Sequence, residues 1–213
     1  MKIAVLISGR GTNLQSLIDA AAAEELGAEI ALVVSNVPDA PGLERAAKAG
    51  IPTETIDHRD FEGREPFEEA LHSALSGRSI ELVCLAGFMR LLTGGFVGKW
   101  RDRLINIHPS ILPAFKGLHT HERAIEAGVR FSGCTVHFVT PEMDDGPIIA
   151  QAAVPVLQGD TPGDLAARIL AEEHKLYPLA VRLIAEGRAK VAGNKVEISG
   201  TAEAPSPVVN PAG

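Results

Sequence analysis

Short apolar runs recur along the chain, each closed by a polar or glycine-rich turn and followed by a segment of helical spacing. Ile3–Ile7, Ile30–Ser35 and Leu82–Ala86 are nearly continuous in apolar residues, the pattern of strands buried on both faces. Pro52–Ile56 and Leu104–His108 add two more strands, the second ending in polar side chains. Helices follow from apolar positions that repeat every three or four residues. The first runs over Leu14–Ala20, with Leu14, Leu17, Ile18 and Ala21 on one face. Leu43–Ala49 is closed by Gly50, and Glu65–Ser76 turns Phe67, Ala70, Leu71 and Leu75 inward. Thr93 caps a short helix running to Trp100, and another runs to Ala127. Then the pattern changes. Arg130–Val139 alternates, with Val136 and Phe138 on one face and His137 on the other, and Ile148–Val156 is interrupted by Gln151. A long helix spans about Thr161 to Ala185, and Ala189–Val191 and Lys195–Ile198 form a hairpin around Gly193-Asn194. Alternating strands and helices predict an α/β fold with a Rossmann-like, mostly parallel sheet. The consecutive strands predict a smaller carboxyl-terminal half that completes a cleft. The reading is one domain over residues 1–199, with halves of about 1–100 and 101–199. Gly200 to Gly213, rich in Pro, Ala and Ser, reads as a disordered tail.

Composition narrows this picture. Of 213 residues, 46% are hydrophobic and 22% charged, which fits a soluble globular chain. The net charge of −7 argues against a protein that lives on nucleic acid, while allowing a local anion site. Cys84 and Cys134 both sit in apolar runs and read as buried small hydrophobes. Met1-Lys2 leads straight into Ile3–Ile7, too short for a signal segment, and no run reaches the length of a membrane span. The expected location is the cytoplasm.

Candidate chemistry lies where strands end. Asn106 and His108 are two residues apart on an extended segment, so their side chains share a side. Pro109 and Pro113 stop the strand behind them. An amide can hydrogen-bond a developing oxyanion, and an imidazole can move a proton near neutral pH. A carboxylate beside the imidazole would stabilise its cation, and the Thr140–Gly146 loop offers Asp144 and Asp145. Adjacent loop residues point apart, and periodicity does not choose between the two. The turn Ser8-Gly9-Arg10-Gly11-Thr12-Asn13 lies between a strand and a helix, the layout that aims free backbone N–H groups at an anion. It lacks the lysine of a P-loop, and Leu14 replaces the third glycine of a dinucleotide fingerprint. A single phosphate group suits it better. Gly87–Leu92 is unusually apolar for a loop at a strand's carboxyl end and suits a flat aromatic ligand. His119 and His121 with His108 could be read as metal ligands, but no recognisable spacing completes a site. Without Gly-x-Ser-x-Gly or a plausible nucleophilic cysteine, no covalent enzyme intermediate is expected.

Several segments together carry a family resemblance. They are Ser8-Gly9-Arg10-Gly11-Thr12-Asn13-Leu14, Asn106-Ile107-His108-Pro109-Ser110-Ile111-Leu112-Pro113, Gly117-Leu118-His119-Thr120-His121, Thr135-Val136-His137-Phe138-Val139 and Asp144-Asp145-Gly146-Pro147. In this order they resemble the phosphoribosylglycinamide formyltransferases, folate-dependent enzymes of purine synthesis, over nearly all of residues 1–190. The resemblance implies transfer of a formyl group from 10-formyltetrahydrofolate to the amine of glycinamide ribonucleotide, with no metal. It implies Asn106, His108 and Asp144 as the catalytic set, and so chooses Asp144 over Asp145. It implies Gly11, Thr12 and Asn13 at the ribonucleotide phosphate, with Glu173 on the ribonucleotide. Arg64, Met89, Arg90, Leu91, Leu92 and Thr140 would surround the folate, and Leu112-Pro113 would be a cis peptide. The implied partners are small molecules, with neither nucleic acid nor membrane, and the chain would be a monomer or homodimer. Two relatives share these elements. Methionyl-tRNA formyltransferase carries a further tRNA-binding domain, whereas only a short tail follows Ile198. Formyltetrahydrofolate deformylase uses water as acceptor, which leaves the phosphate-type turn unexplained. A non-catalytic nucleotide-binding module is the reading from a different class.

Overall fold

A computed structural model describes residues 1–200 and 209–210 of the chain. The expected disordered tail falls mostly on residues 201–208 and 211–213, which lie outside the described residues. The strands are β1 (Lys2–Ile7), β2 (Glu29–Ser35), β3 (Thr53–Thr55), β4 (Leu82–Leu85), β5 (Leu104–His108), β6 (Phe131–Phe138) and β7 (Ile148–Pro155). They form one seven-stranded sheet in the order β3-β2-β1-β4-β5-β6-β7. Pairing is parallel from β3 to β5 and antiparallel from β5 to β7. The mostly parallel α/β sheet expected from the alternating pattern is therefore present. A separate hairpin, β8 (Ala189–Ala192) and β9 (Lys195–Ile198), follows.

The helices are α1 (Thr12–Ala22), α2 (Pro41–Lys48), α3 (Arg64–Ser76), α4 (Gly94–Lys99), α5 (Thr120–Glu126) and α6 (Pro162–Ala185). Alternate residues of β1 go to opposite layers. Ile3, Val5 and Ile7 pack with Leu14 and Leu17 of α1 and with Leu165, Ile169 and Tyr177 of α6. Ala4 and Leu6 pack with Phe67, Leu71 and Leu75 of α3 and with Phe96 and Trp100 around α4. One cap is announced by the sequence and a second is added by the structure. Thr93 accepts a hydrogen bond from Phe96 N–H, and Thr161 forms a reciprocal capping box with Asp164.

One expected boundary moves. Asp57–Arg64 reads as a loop in the sequence, but it contains a 3-10 turn at His58–Asp60, and Arg64 is already the first residue of α3. The Asp57 side chain accepts from Arg59 N–H and pairs with the Arg59 guanidinium, which nucleates the turn. No helix among the described residues is long and apolar enough to cross a membrane.

The parity of β5 and β6 decides what faces the site. Ile105 and Ile107 of β5, and Cys134, Val136 and Phe138 of β6, belong to the α1/α6 layer. Asn106 and His108 therefore point to the other face, as do Thr135 and His137. The ladder sets Asn106 opposite His137 and His108 opposite Thr135.

Candidate active site

The site is built at the carboxyl end of β5. Burial leaves His108 only 6% exposed. Its Nε2 lies 3.1 Å from the Phe115 carbonyl oxygen, and its Nδ1 lies 3.5 Å from Oδ2 of Asp144. That second separation is long for a hydrogen bond, so Asp144 does not consume the Nδ1 position. Asp144 takes the left-handed conformation, φ 51°, and accepts Gly117 N–H at 2.8 Å on the same Oδ2. Its other oxygen lies 3.8 Å from Nε2 of His137. Asp145 turns away and pairs with Lys116. Adjacent loop residues diverge as expected, and the one facing the imidazoles is Asp144.

His137 completes a chain of polar contacts. Its Nδ1 donates to the Phe138 carbonyl at 2.9 Å, which leaves Nε2 to accept from the Asn106 amide at 3.3 Å. Burial is the first cause holding the His137 imidazole below its ordinary pKa, with the Phe138 bond and Asp144 acting in the opposite sense. The neutral ring is the form that can accept from Asn106. Sequence reading gives His137 no role. The signal that could have found it is parity, because a strand pairing β5 must set its outward polar residue beside Asn106.

The loop after β5 is held from β6 and β7. The Ser110 carbonyl accepts the Thr135 hydroxyl at 2.7 Å, and Leu112 N–H donates back to that hydroxyl at 3.0 Å. Gln151 donates to the Leu112 carbonyl at 2.9 Å. The polar interruption of β7 thus holds the proline turn, and Leu112-Pro113 is cis. Gly146 lets the Asp144 loop close. A Cβ there would stand 1.7 Å from the Phe138 carbonyl oxygen and 3.3 Å from Thr140 Cγ2.

The first turn lies at the carboxyl end of β1, one strand beyond β4. Gly11 is left-handed, φ 68°, and a Cβ on it would meet Gly42 Cα at 2.8 Å. This close approach lets Thr12 begin α1 directly after the turn. Asn13 donates to Glu173 at 2.8 Å. Burial raises the Glu173 carboxyl above its usual range, against the lowering effect of that bond. The Asn13 Oδ1 is buried without a partner. The residues expected at a ribonucleotide, Gly11, Thr12, Asn13 and Glu173, therefore come together.

The residues expected at a folate are spread more widely. Gly87, φ 73°, opens the loop after β4, in which Met89 and Leu91 are 68% and 60% exposed. Phe88 and Leu92 pack partly on the α3/α4 layer, and Arg90 is exposed. The far end of this loop is fixed by buried Glu68, which accepts both Thr93 N–H and the Thr93 hydroxyl. Thr140 follows β6, and its hydroxyl donates to the Glu142 carbonyl at 3.3 Å. Arg64 is exposed at the start of α3 rather than in a loop. His119 is a left-handed residue at the start of α5 and lies 3.8 Å from Glu122. Among the described residues, no group of three or more His, Cys, Asp or Glu could hold a metal ion.

This arrangement offers a donor amide, a buried imidazole beside a carboxylate, and an anion-type turn on neighbouring strand ends. A formyl transferase family model matches residues 1–181. The chain is similar to the phosphoribosylglycinamide formyltransferase of Escherichia coli K12, at 46% identity over 94% of each chain. It is also similar to the trifunctional purine biosynthetic protein adenosine-3 of Gallus gallus, at 51% identity over 90% of this chain. The chain spans only 19% of that larger protein. Among solved structures, glycinamide ribonucleotide transformylase 1 from Symbiobacterium toebii superposes with a TM-score of 0.91 at 50% identity, covering 93% of each chain. The chain belongs to the formyl transferase family.

Proposed function

We propose that the chain transfers the formyl group of 10-formyltetrahydrofolate to the amine of glycinamide ribonucleotide, a step of purine synthesis. The observation that carries this reading is the Asp144 carboxylate, set 3.5 Å from the His108 imidazole and 3.8 Å from that of His137, which in turn accepts from the Asn106 amide. The unit of function is one formyltransferase domain over residues 1–199.

In this reading the substrate amine attacks the formyl carbon. Negative charge develops on the formyl oxygen, where the Asn106 amide and the His108 cation receive it. Asp144 stabilises that cation through space. The Phe115 carbonyl fixes Nε2 and so sets the ring plane. The tetrahedral adduct then collapses, the bond between the formyl carbon and the folate nitrogen breaks, and the attacking nitrogen loses a proton as the departing folate nitrogen gains one, with His108 or water as carrier. Gly11, Thr12 and Asn13 bind the phosphate, and Glu173 contacts the ribonucleotide. Met89, Arg90, Leu91, Leu92, Arg64 and Thr140 receive the folate, whose flat ring suits the apolar loop.

The test measures deformylated folate from 10-formyltetrahydrofolate, with and without glycinamide ribonucleotide. Product that depends on the ribonucleotide supports the transferase. Equal product without it makes the chain a hydrolase of the donor. No product under either condition overturns the reading.

A further inference from the structure

Ser8 stands in the sequence as the first residue of the phosphate-type turn, yet its side chain is committed elsewhere. The carboxyl ends of β2, β1 and β4 lie side by side; Asn36 follows β2 directly, Ser8 follows β1 directly, and Gly87 comes two residues after β4. The Ser8 hydroxyl donates its single proton to Oδ1 of Asn36 at 2.5 Å. Its oxygen is then left to accept, and it accepts Met89 N–H at 2.7 Å. Asn36 is only 2% exposed, and its Nδ2 lies 3.1 Å from Nδ1 of His58. The same His58 Nδ1 lies 3.1 Å from the Asn36 carbonyl oxygen, and it is the Met89 N–H, which needs the Ser8 oxygen as acceptor, that leaves the Ser8 proton for Asn36 Oδ1. Ser8 N–H also donates to the Gly87 carbonyl at 3.2 Å.

We propose that Ser8 is a positioning residue for the Gly87–Leu92 loop, where the formyl donor binds, and not for the phosphate turn in which its sequence places it. This rests on the reading of that loop as the donor site. Met89 and Leu91 are exposed and gain little from their own packing. The loop's shape is set at its two ends, by Ser8 at Met89 and by Glu68 at Thr93. Loss of the Ser8 hydroxyl removes the bond to Met89 while the backbone bond from Ser8 N–H to Gly87 and the second end stay in place.

The experiment compares steady-state constants for both substrates in the wild-type protein, Ser8→Ala, Ser8→Thr, Asn36→Ala and the Ser8→Ala/Asn36→Ala double variant. Wild-type turnover that requires both substrates is established first. Its absence overturns the functional reading, and with it the donor assignment on which Ser8 depends. Given turnover, Ser8→Ala raises the KM for 10-formyltetrahydrofolate roughly 3- to 10-fold, the worth of one hydrogen bond. The KM for the ribonucleotide and kcat stay within about twofold on the same scale. Ser8→Thr restores the donor KM because it keeps a hydroxyl. Asn36→Ala acts through the same bond, so the double variant is no worse than Ser8→Ala alone. An equal rise in both KM values, a rise in the ribonucleotide KM alone, or unchanged constants in Ser8→Ala would overturn the proposal.

Discussion

The side-chain nitrogen of Asn106 lies 3.3 Å from Nε2 of His137, its direct neighbour across the β5–β6 ladder. The contact orients the amide and requires a neutral imidazole. His137→Leu keeps comparable bulk and removes the acceptor. It should lower kcat roughly tenfold to a hundredfold, because a part-buried donor loses its partner. Both KM values should hold. Unchanged kcat in a folded variant would show that Asn106 needs no such partner.

Asp144→Asn retains an acceptor for Gly117 N–H and removes the charge beside His108. If the imidazolium carries the reaction, kcat falls by about 10²- to 10⁴-fold, the range for a general acid or base. Substrate affinities change little by comparison. Single-turnover rates under saturating substrates are the direct measurement.

Glu173 makes stability depend on pH in the sense opposite to an ordinary surface carboxylate. Burial raises its folded pKa above the unfolded value, so the folded state holds the proton longer. Its neutral form costs nothing at low pH. Stability is lost as pH rises from the unfolded value, about 4.3, through the raised folded one. Glu173→Gln should therefore gain in melting temperature over the wild-type protein as pH rises across that window. A difference that stays constant with pH would refute the burial argument.

Gly146→Ala places a Cβ 1.7 Å from the Phe138 carbonyl oxygen. The backbone must give way, at a cost of about 1–3 kcal/mol. Urea denaturation reads that loss directly. Activity should fall further than stability accounts for, since Asp144 rides on the displaced segment.

Much of this is legible in the sequence. The apolar runs and helical spacing carry most element boundaries to within a residue or two, because burial on both faces of β1, β2 and β4 leaves little ambiguity. Asn106 and His108 on one side of β5 follow from a period of two. What composition and period could not supply was pairing. Nothing in the run Phe131–Phe138 announces that it lies antiparallel against β5 in the register that sets His137 on Asn106. The same holds for Ser8, whose partners lie 28 and 81 residues away. The choice of Asp144 over Asp145 came from the family resemblance, and its physical basis is the ion pair that draws Asp145 to Lys116. The 3-10 turn just before Arg64 is stabilised by a contact between two side chains, Asp57 and Arg59, which no period reveals.

The antiparallel ladder between β5 and β6 also sets which changes of length the gene can tolerate. Deleting or inserting one codon within β6 rotates every following side chain to the other face. An apolar neighbour, Val136 or Phe138, would then stand where His137 meets Asn106, and the imidazole would be driven into the layer beneath α6. Such an indel would remove the chemistry and disturb the core in a single event. Extra residues in the exposed segment Pro141–Met143, before Asp144, leave that phase untouched. Length variation among homologous chains is therefore expected to spare β6 for its phase, and to spare the Asp144 loop for a different reason, the placement of that carboxylate beside His108.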